Sequence, residues 1–509
     1  MITKAGAWMN TPYLKRETKR KLKAFQEYKL SNFAASASIV LAILFGFAGY
    51  DLFEQTVSVP FLVVAGIYFV FGLHQLLVSL KIRSDVLKDN EIRASTRIFG
   101  FSLIVALLAG NILITIAALD MLKKEKSIEY TLSIYMALTN FCVILISALN
   151  LFKPYVADLF LLGMGILFAI SLLHIVALVV IGLFVKKGEV PSKLLPLAYL
   201  LLLTSVTGNL FSLLLGLTLL HKIRHGNKEV LVTWVDIVRR LFRNAMATLG
   251  LLFITVLLSL SICSYFTFEY SLAIENNYST LLLSPSLEYP FGTDDFGRCV
   301  FSRIVFGGRI SLLVGILTTL IPVIIGGLLG TVSGFYGKYI DNFIMRALDI
   351  LYAVPGMLLA IAIVAAFGAN TTNLIIALSI GYIPTYARTM RATVMSVSNF
   401  EFIEAARACG AKDHAIIFKH IIPNSLAPII VKATLTIGIA VISTSSLSYL
   451  GLGVEPHIPE WGNILKIGSA YLESKSYLAV YPGIAIILMV LSFNFFGDGL
   501  RDALDPKLK

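Results

Sequence analysis

Charged residues are scarce. Asp, Glu, Lys and Arg make up 14% of the 509 residues, 57% are hydrophobic, and the mean hydropathy is +0.83. Soluble domains carry about a quarter charged residues, so a water-facing globular class is excluded and lipid is the expected solvent. Cysteine is equally sparse. Cys142 and Cys263 fall in apolar runs and Cys299 and Cys409 in connecting segments, which specifies neither a disulfide framework nor a metal site. His74, His174, His221, His225, His414, His420 and His457 include no His-Glu-x-x-His. His221 and His225 are four apart, but Gly226 follows at once and no acidic residue stands between them. No Gly-x-x-x-x-Gly-Lys-Ser/Thr loop is present, so the chain has no cradle for ATP phosphates.

What the sequence holds in quantity is long uncharged runs: residues 30–50, 55–80, 98–119, 130–152, 159–185, 194–220, 245–268, 310–337, 350–387, 433–454 and 476–497. Most match the ~20 residues that cross a ~30 Å hydrocarbon layer as helix. The run 350–387 is too long for one helix, and Phe367-Gly-Ala-Asn-Thr-Thr-Asn373 splits it. The expected fold is therefore an all-α polytopic membrane protein with about twelve transmembrane helices. No small-residue cleavage site follows the first run, which reads as an uncleaved span.

Orientation follows the Lys/Arg bias of short loops. Lys4, Lys15, Arg16, Lys19, Arg20, Lys21, Lys23 and Lys29 place the N-terminus in the cytoplasm. Lys222, Arg224, Lys228, Arg239, Arg240 and Arg243 do the same for the connection after the sixth run. An even span count returns the C-terminus to that side. One loop dissents: Lys186, Lys187 and Lys193 fall where twelve alternating spans require an outer loop. The net charge of +12 is spread over such loops, so membrane topology accounts for it and nucleic acid is not expected as a partner.

The first six runs carry no recognisable chemistry. Their polar interruptions, His74, Asn111, Asn140, His174 and Asn209, read as hydrogen-bonding groups between helices. The organisation expected is a six-span membrane domain of unknown role over residues 1–228 and a second domain over 229–509. Six preceding spans leave the second domain's orientation unchanged, so a chain starting near Lys228 is expected to insert correctly and assemble with its partners.

The second half holds identifiable loops. Glu404-Ala-Ala-Arg-Ala-Cys-Gly410, continuing to His420-Ile-Ile-Pro423, reads as a helix, a bend at Gly410 and a second helix that ends at Pro423. Three further segments punctuate the rest: Phe291-Gly-Thr-Asp-Asp-Phe-Gly-Arg298 with Val300-Phe-Ser-Arg303 and Gly308-Arg-Ile-Ser-Leu312; Leu450-Gly-Leu-Gly-Val454 with Pro459-Glu-Trp-Gly462; and Gly497-Asp-Gly-Leu-Arg-Asp-Ala-Leu-Asp-Pro506. Asp294 and Asp295 can cap the helix that follows them or face a partner.

The first of these stretches resembles the EAA loop of ATP-binding-cassette (ABC) importer permeases, with Ile422 and His420 in place of the pattern's Leu and Ile. In combination the segments resemble the C subunit of oligopeptide, dipeptide and nickel permeases over roughly residues 235–509. Cys299 stands where that family has Asp, and His457 and Glu460 are local departures. The resemblance implies a MetI-like permease core, a transport subunit and not an enzyme. Glu404, Ala405, Ala406, Gly410 and Pro423 would form the loop that couples to the ATPase. Gly292, Thr293, Asp294, Asp295, Gly297 and Arg298 would form an outer segment facing a binding protein. The implied partners are a second homologous permease, two ATP-binding subunits at the cytoplasmic face, an extracytoplasmic substrate-binding protein and the lipid bilayer of a bacterial cell membrane, with both termini cytoplasmic. No cofactor is expected on this chain; ATP and Mg would be used by the partner subunits. Within this family the substrate can be a peptide, a nickel chelate or another solute.

One alternative is a twelve-span secondary transporter of the major facilitator type. Proton coupling usually needs a carboxylate inside the membrane. The uncharged runs hold none, with Asp158, Asp349 and Asp498 at their edges.

Overall fold

The computed structural model describes residues 22, 25–48, 59–121, 127–185, 189–225 and 232–505. Most of the basic arm, the cations Lys186 and Lys187, Lys228 and the expected boundary at 228/229 lie outside the described residues, as do 506–509. Among the described residues the chain is helical, with no strand beyond isolated bridges. The helices of eight residues or more are α1 (Gln26–Ala48), α2 (Val59–Asp89), α3 (Ala94–Phe101), α4 (Ile112–Asp120), α5 (Ile128–Ala148), α6 (Phe160–Phe184), α7 (Leu195–Thr204), α8 (Leu210–His225), α9 (Val232–Leu241), α10 (Ala245–Thr267), α11 (Val300–Tyr336), α12 (Lys338–Ala353), α13 (Gly356–Phe367), α14 (Thr371–Ser398), α15 (Glu401–Ala408), α16 (Ile422–Leu450), α17 (Trp461–Ser469) and α18 (Tyr477–Leu504).

Against an expectation of about twelve spans, eight described helices are long and apolar enough to cross a membrane, or nine if the bent pair α12 and α13 counts as one. α14, 28 residues long, carries Arg388 and Arg391 in its second half. Two of the remaining apolar runs are folded back on themselves. In 98–119, α3 passes into a 3-10 stretch, Gly110 turns at φ 69°, and the Asn111 side chain accepts from the Ile114 N–H at 3.3 Å to start α4. Arg97 then donates to the Met121 carbonyl at 3.1 Å, so the start of α3 lies beside the end of α4. In 194–220, Gly208 turns at φ 84° and Asn209 accepts from the Ser212 N–H at 3.2 Å. Ser212 donates to the Leu201 carbonyl, and a Cβ on Gly216 would sit 3.1 Å from the Ala198 carbonyl oxygen. Both runs are antiparallel helical hairpins, which return to the side they enter. The same order of elements thus occurs twice: α1, α2 and a Gly-Asn hairpin, then α5, α6 and a Gly-Asn hairpin.

The described residues fall into two compact units. The first takes its residues from Met1–Leu138, Ile175–Pro196 and Thr218–Asn227, the second from Thr139–His174, Leu197–Leu217 and Lys228–Lys509. In the first unit, Asn111 donates to Ser38 at 2.7 Å and Lys222 meets the fully buried Glu129 at 2.6 Å, while the His74 ring lies against Phe99. In the second, Asn140 donates to the Leu167 carbonyl at 3.0 Å and His174 bonds Thr204 at 3.1 Å. Asn111, Asn140 and His174 therefore do what their sequence context suggested, and Asn209 caps a hairpin.

Within the second unit, α11 and α14 run together through glycines spaced four apart. A Cβ on Gly326, Gly330 or Gly334 would come within 2.7, 2.3 and 2.8 Å of the carbonyl oxygens of Ile383, Ala387 and Arg391. Small residues at one helical face allow this approach where lipid provides no hydrophobic drive between helices.

Candidate functional site

At one end of α11 and α14 the chain builds a helical knob. α15 ends in a left-handed Gly410 at φ 80°, with the Gly410 N–H on the Arg407 carbonyl (2.9 Å) and the Ala411 N–H on the Ala406 carbonyl (3.1 Å). That pair of bonds is a Schellman stop, which favours glycine. A short turn, Asp413–Ile416, leads into the wide π turn Ile417–Ile421 and then α16, with Pro423 in its first turn. Pro423 has no N–H to give, and the helix is widened immediately before it.

The knob has two faces. Ile403, 1% exposed, packs with Met390, Val394 and Val397 of α14 and with Ile416, Ile421 and Ile429. Glu404, Ala405, Gly410 and Pro423 are exposed, Ala406 is half-buried, and Phe402 and Phe418 present rings at 40% and 64% exposure beside them. Close by, Arg391 donates through two nitrogens to both oxygens of Asp341, which also accepts from Ser333, and Arg388 meets Asp349 at 2.6 Å. These pairs tie α12 to α14. The sequence pattern marked the exposed face but not Ile403, which reads there as one more apolar residue.

The other end of α11, about 55 Å away at 1.5 Å per residue, carries the Gly-Thr-Asp-Asp segment. Asp294 is buried: one oxygen accepts from the Phe296 and Arg298 N–H groups (3.0 and 2.9 Å) and the other from Arg298 Nε (2.8 Å), with Arg303 at 3.6 Å. Thr293, fully buried, accepts from the Leu283 N–H and donates to the Thr280 carbonyl. Asp294 therefore shapes its own loop and does not cap α11, which begins after Cys299 without a side-chain cap. Thr293, Asp294 and Arg298 turn inward, Gly292 and Gly297 are buried turn positions, and Asp295 is partly buried, its carboxyl raised by burial and by the charge of Asp294. The outward-facing residue of the segment is Phe296.

Gly297 combines φ 75° with a neighbour that leaves no room, since a Cβ would lie 1.8 Å from the Asn277 carbonyl oxygen. Gly297→Ala is expected to destabilise this end by about 2 kcal/mol or more, read as a lower melting temperature of the purified chain and easier proteolysis in residues 275–300. An unchanged melting temperature would show that the loop yields freely.

The third segment closes this end. Glu460, fully buried, caps α17 by accepting from the Gly462 and Asn463 N–H groups (2.8 and 3.2 Å) and takes a bond from Ser445 at 3.1 Å. Burial raises its carboxyl and these donors oppose the rise. Trp461 donates to the Ile304 carbonyl at 2.9 Å and packs on Gly307 and Gly308.

A residue from before 235 also reaches this end. Lys153, 7% exposed, follows α5; its Nζ donates to Ser302 at 2.5 Å and lies 5.4 and 5.5 Å from the ring centres of Phe268 and Phe301. Burial pushes its ammonium below the usual lysine range. Asn150 donates to the Thr267 carbonyl at 2.8 Å, and Ser147 bonds the Thr267 hydroxyl at 3.2 Å.

Comparison with known proteins covers this second half. The model of the binding-protein-dependent transport system inner membrane component family matches residues 326–509. Dipeptide transport system permease protein DppC of Alkalihalophilus pseudofirmus is 46% identical over 276 residues, 54% of this chain and 90% of that protein. Glutathione transport system permease protein GsiD of Pectobacterium atrosepticum is 41% identical over 283 residues, 56% of this chain and 94% of that protein. GsiD of Escherichia coli is 43% identical over 281 residues, 55% and 93% of the two chains.

Proposed function

This chain belongs to the family of binding-protein-dependent transport system inner membrane components, permease subunits of ABC importers, and from that premise we propose that it passes peptides of dipeptide to oligopeptide size. Membership makes it a multi-pass inner-membrane transport subunit that works with ATP-binding and substrate-binding partners, with ATP hydrolysed in separate subunits. The facilitator alternative finds no support, because the relatives are importer permeases.

The knob of α15 carries the mechanistic reading. Its exposed face, Glu404, Ala405, Gly410 and Pro423, docks on an ATP-binding subunit, and its buried face, Ile403, grips α14 and α16. A push on the knob thereby moves the two helices that pack on α11, and a second homologous permease completes an alternating-access path. Sidedness follows with the knob in the cytoplasm. Lys153 then lies on the outer side with Ser302, α6 returns the chain to the cytoplasm, and the hairpin of α7 and α8 keeps it there. Lys193 falls inside, as the charge bias demands, and both termini remain cytoplasmic. On this reading the loop at 186–193 no longer dissents, since run 98–119 is a hairpin and does not count as a span.

Glu404→Arg, or Gly410→Val, is expected to cut uptake of a radiolabelled dipeptide more than tenfold with the chain still inserted. The first reverses a docking charge. The second puts a β-branched residue into a left-handed position, at about 1–2 kcal/mol, where no neighbour would be touched. Normal uptake by both variants at normal membrane abundance would refute the coupling role. The purified chain alone should hydrolyse no ATP and should support hydrolysis only in complex with nucleotide-binding subunits. Turnover by the isolated chain that survives removal of contaminants would overturn that division of labour.

A further inference from the structure

Beside the outer segment, between the end of α10, the start of α11 and the loop before α17, lies a cavity of about 300 Å³ lined by Ser264, Tyr265, Phe268, Tyr270, Phe306 and Arg309 among others. Arg309 is its cation. The guanidinium carbon lies over the Tyr265 ring, 3.4 Å from its centre, and 5.0 Å from that of Phe306. One Nη donates to the Ser264 hydroxyl at 2.8 Å, while Nε is buried without a hydrogen-bond partner. Arg298, Arg303, Arg388 and Arg391 each sit against an aspartate. Among the described residues, no carboxylate lies within ion-pair distance of Arg309.

A guanidinium offers five donors in a planar fork suited to carboxylate and phosphate. Placing one beside aromatic rings and a neutral hydroxyl at a partly buried position leaves its charge without a carboxylate partner, where an incoming oxyanion gains more than it would in bulk water. We propose that this cavity is a binding site for an oxyanion, carboxylate or phosphate, that carries an adjoining apolar group. Arg309 holds the oxyanion by charge-assisted hydrogen bonds, and the rings of Tyr265, Phe268 and Phe306 cover the apolar part. Two molecules present that chemistry here: an anionic phospholipid, at the depth marked by the exposed rings of Tyr265, Phe266 and Tyr270, and the carboxylate end of a transported peptide. The second source rests on the peptide-import reading; the site itself does not.

Two arms identify the source. In the first, the full chain purified in detergent is loaded with dioleoylphosphatidylglycerol or dioleoylphosphatidylcholine, and retained lipid is counted by native mass spectrometry. In the second, the assembled transporter in phosphatidylcholine vesicles imports Ala-Phe as the free acid or as its C-terminal amide. Arg309→Met is expected to reduce the preference for the anionic over the neutral ligand about tenfold in one arm, and Arg309→Lys to keep most of it. Loss in the lipid arm identifies a headgroup, and loss in the peptide arm a substrate carboxylate. If the transporter imports no peptide at all, the lipid arm still reads Arg309. Should Arg309→Met not be recovered, Tyr265→Ala decides, since it keeps the cation, opens one wall at an exposed position and should weaken retention of the anionic ligand. Unchanged preference in both arms for a recovered variant overturns the proposal.

Discussion

Ile403→Asp should abolish uptake while leaving the chain in the membrane. Ile403 is the side chain by which α15 grips the spans, enclosed by Met390, Val394, Val397, Ile416, Ile421 and Ile429. A carboxylate in that position has no partner, and burying it costs several kcal/mol, more than a single eight-residue helix can hold against. The helix would turn outward, so the docking face survives in composition but is no longer attached to α14 and α16. ATP hydrolysis by the assembled complex should then proceed uncoupled from transport, which separates this variant from Glu404→Arg, expected to lose ATPase assembly itself. Ile403→Val removes one methylene, at about 1 kcal/mol, and should transport almost normally. Measuring uptake and hydrolysis together decides the matter: coupled transport by Ile403→Asp at normal abundance would show that the knob does not act through this cluster.

The contrast between Glu404 and Ile403 explains how far the sequence could be read. Glu404, Gly410 and Pro423 were legible because each carries a local cost or preference: a helix-favouring carboxylate, a left-handed turn, a missing donor. Ile403 carries none; its meaning comes from the residues of α14 and α16 that the fold brings to it. Runs 98–119 and 194–220 satisfied the length rule for a span, and what betrays the hairpins is one Gly-Asn pair in each, Gly110-Asn111 and Gly208-Asn209. Lys186, Lys187 and Lys193 pointed to the same conclusion from charge. Asp294, read from sequence as a helix cap or a partner-facing residue, instead closes its own turn, because the N–H groups of Phe296 and Arg298 and the guanidinium of Arg298 reach it first. Lys153 could not be read at all, since a lysine in a short loop normally lies in water.

Lys153 also governs the second large effect. A chain starting at Lys228 is expected to insert but to be recovered at least several-fold below the full chain and to import poorly, contrary to what span counting alone suggests. Residues 139–174 and 197–217 belong to the same compact unit as the permease core. Removing them takes away the lysine on Ser302, both bonds to Thr267, and the cluster in which Val143, Ile144, Phe160, Met164 and Leu167 enclose Cys263 of α10. It also bares two close backbone approaches, Gly163 on Phe266 and Gly208 on Leu258 and Ser259. Lipid replaces apolar contact at little cost, so the loss comes from polar groups left unpaired and from packing that lipid chains cannot reproduce. Lys153→Met isolates the polar part. It keeps an unbranched side chain of similar length but removes the cation near Phe268 and Phe301 and leaves Ser302 without its donor, at about 1–3 kcal/mol, and should lower the melting temperature while transport persists. Full recovery and full uptake by the truncated chain would mean that these contacts are incidental. Loss in the truncated chain with a mild effect of Lys153→Met would place residues 139–174 and the hairpin of α7 and α8 inside the working permease.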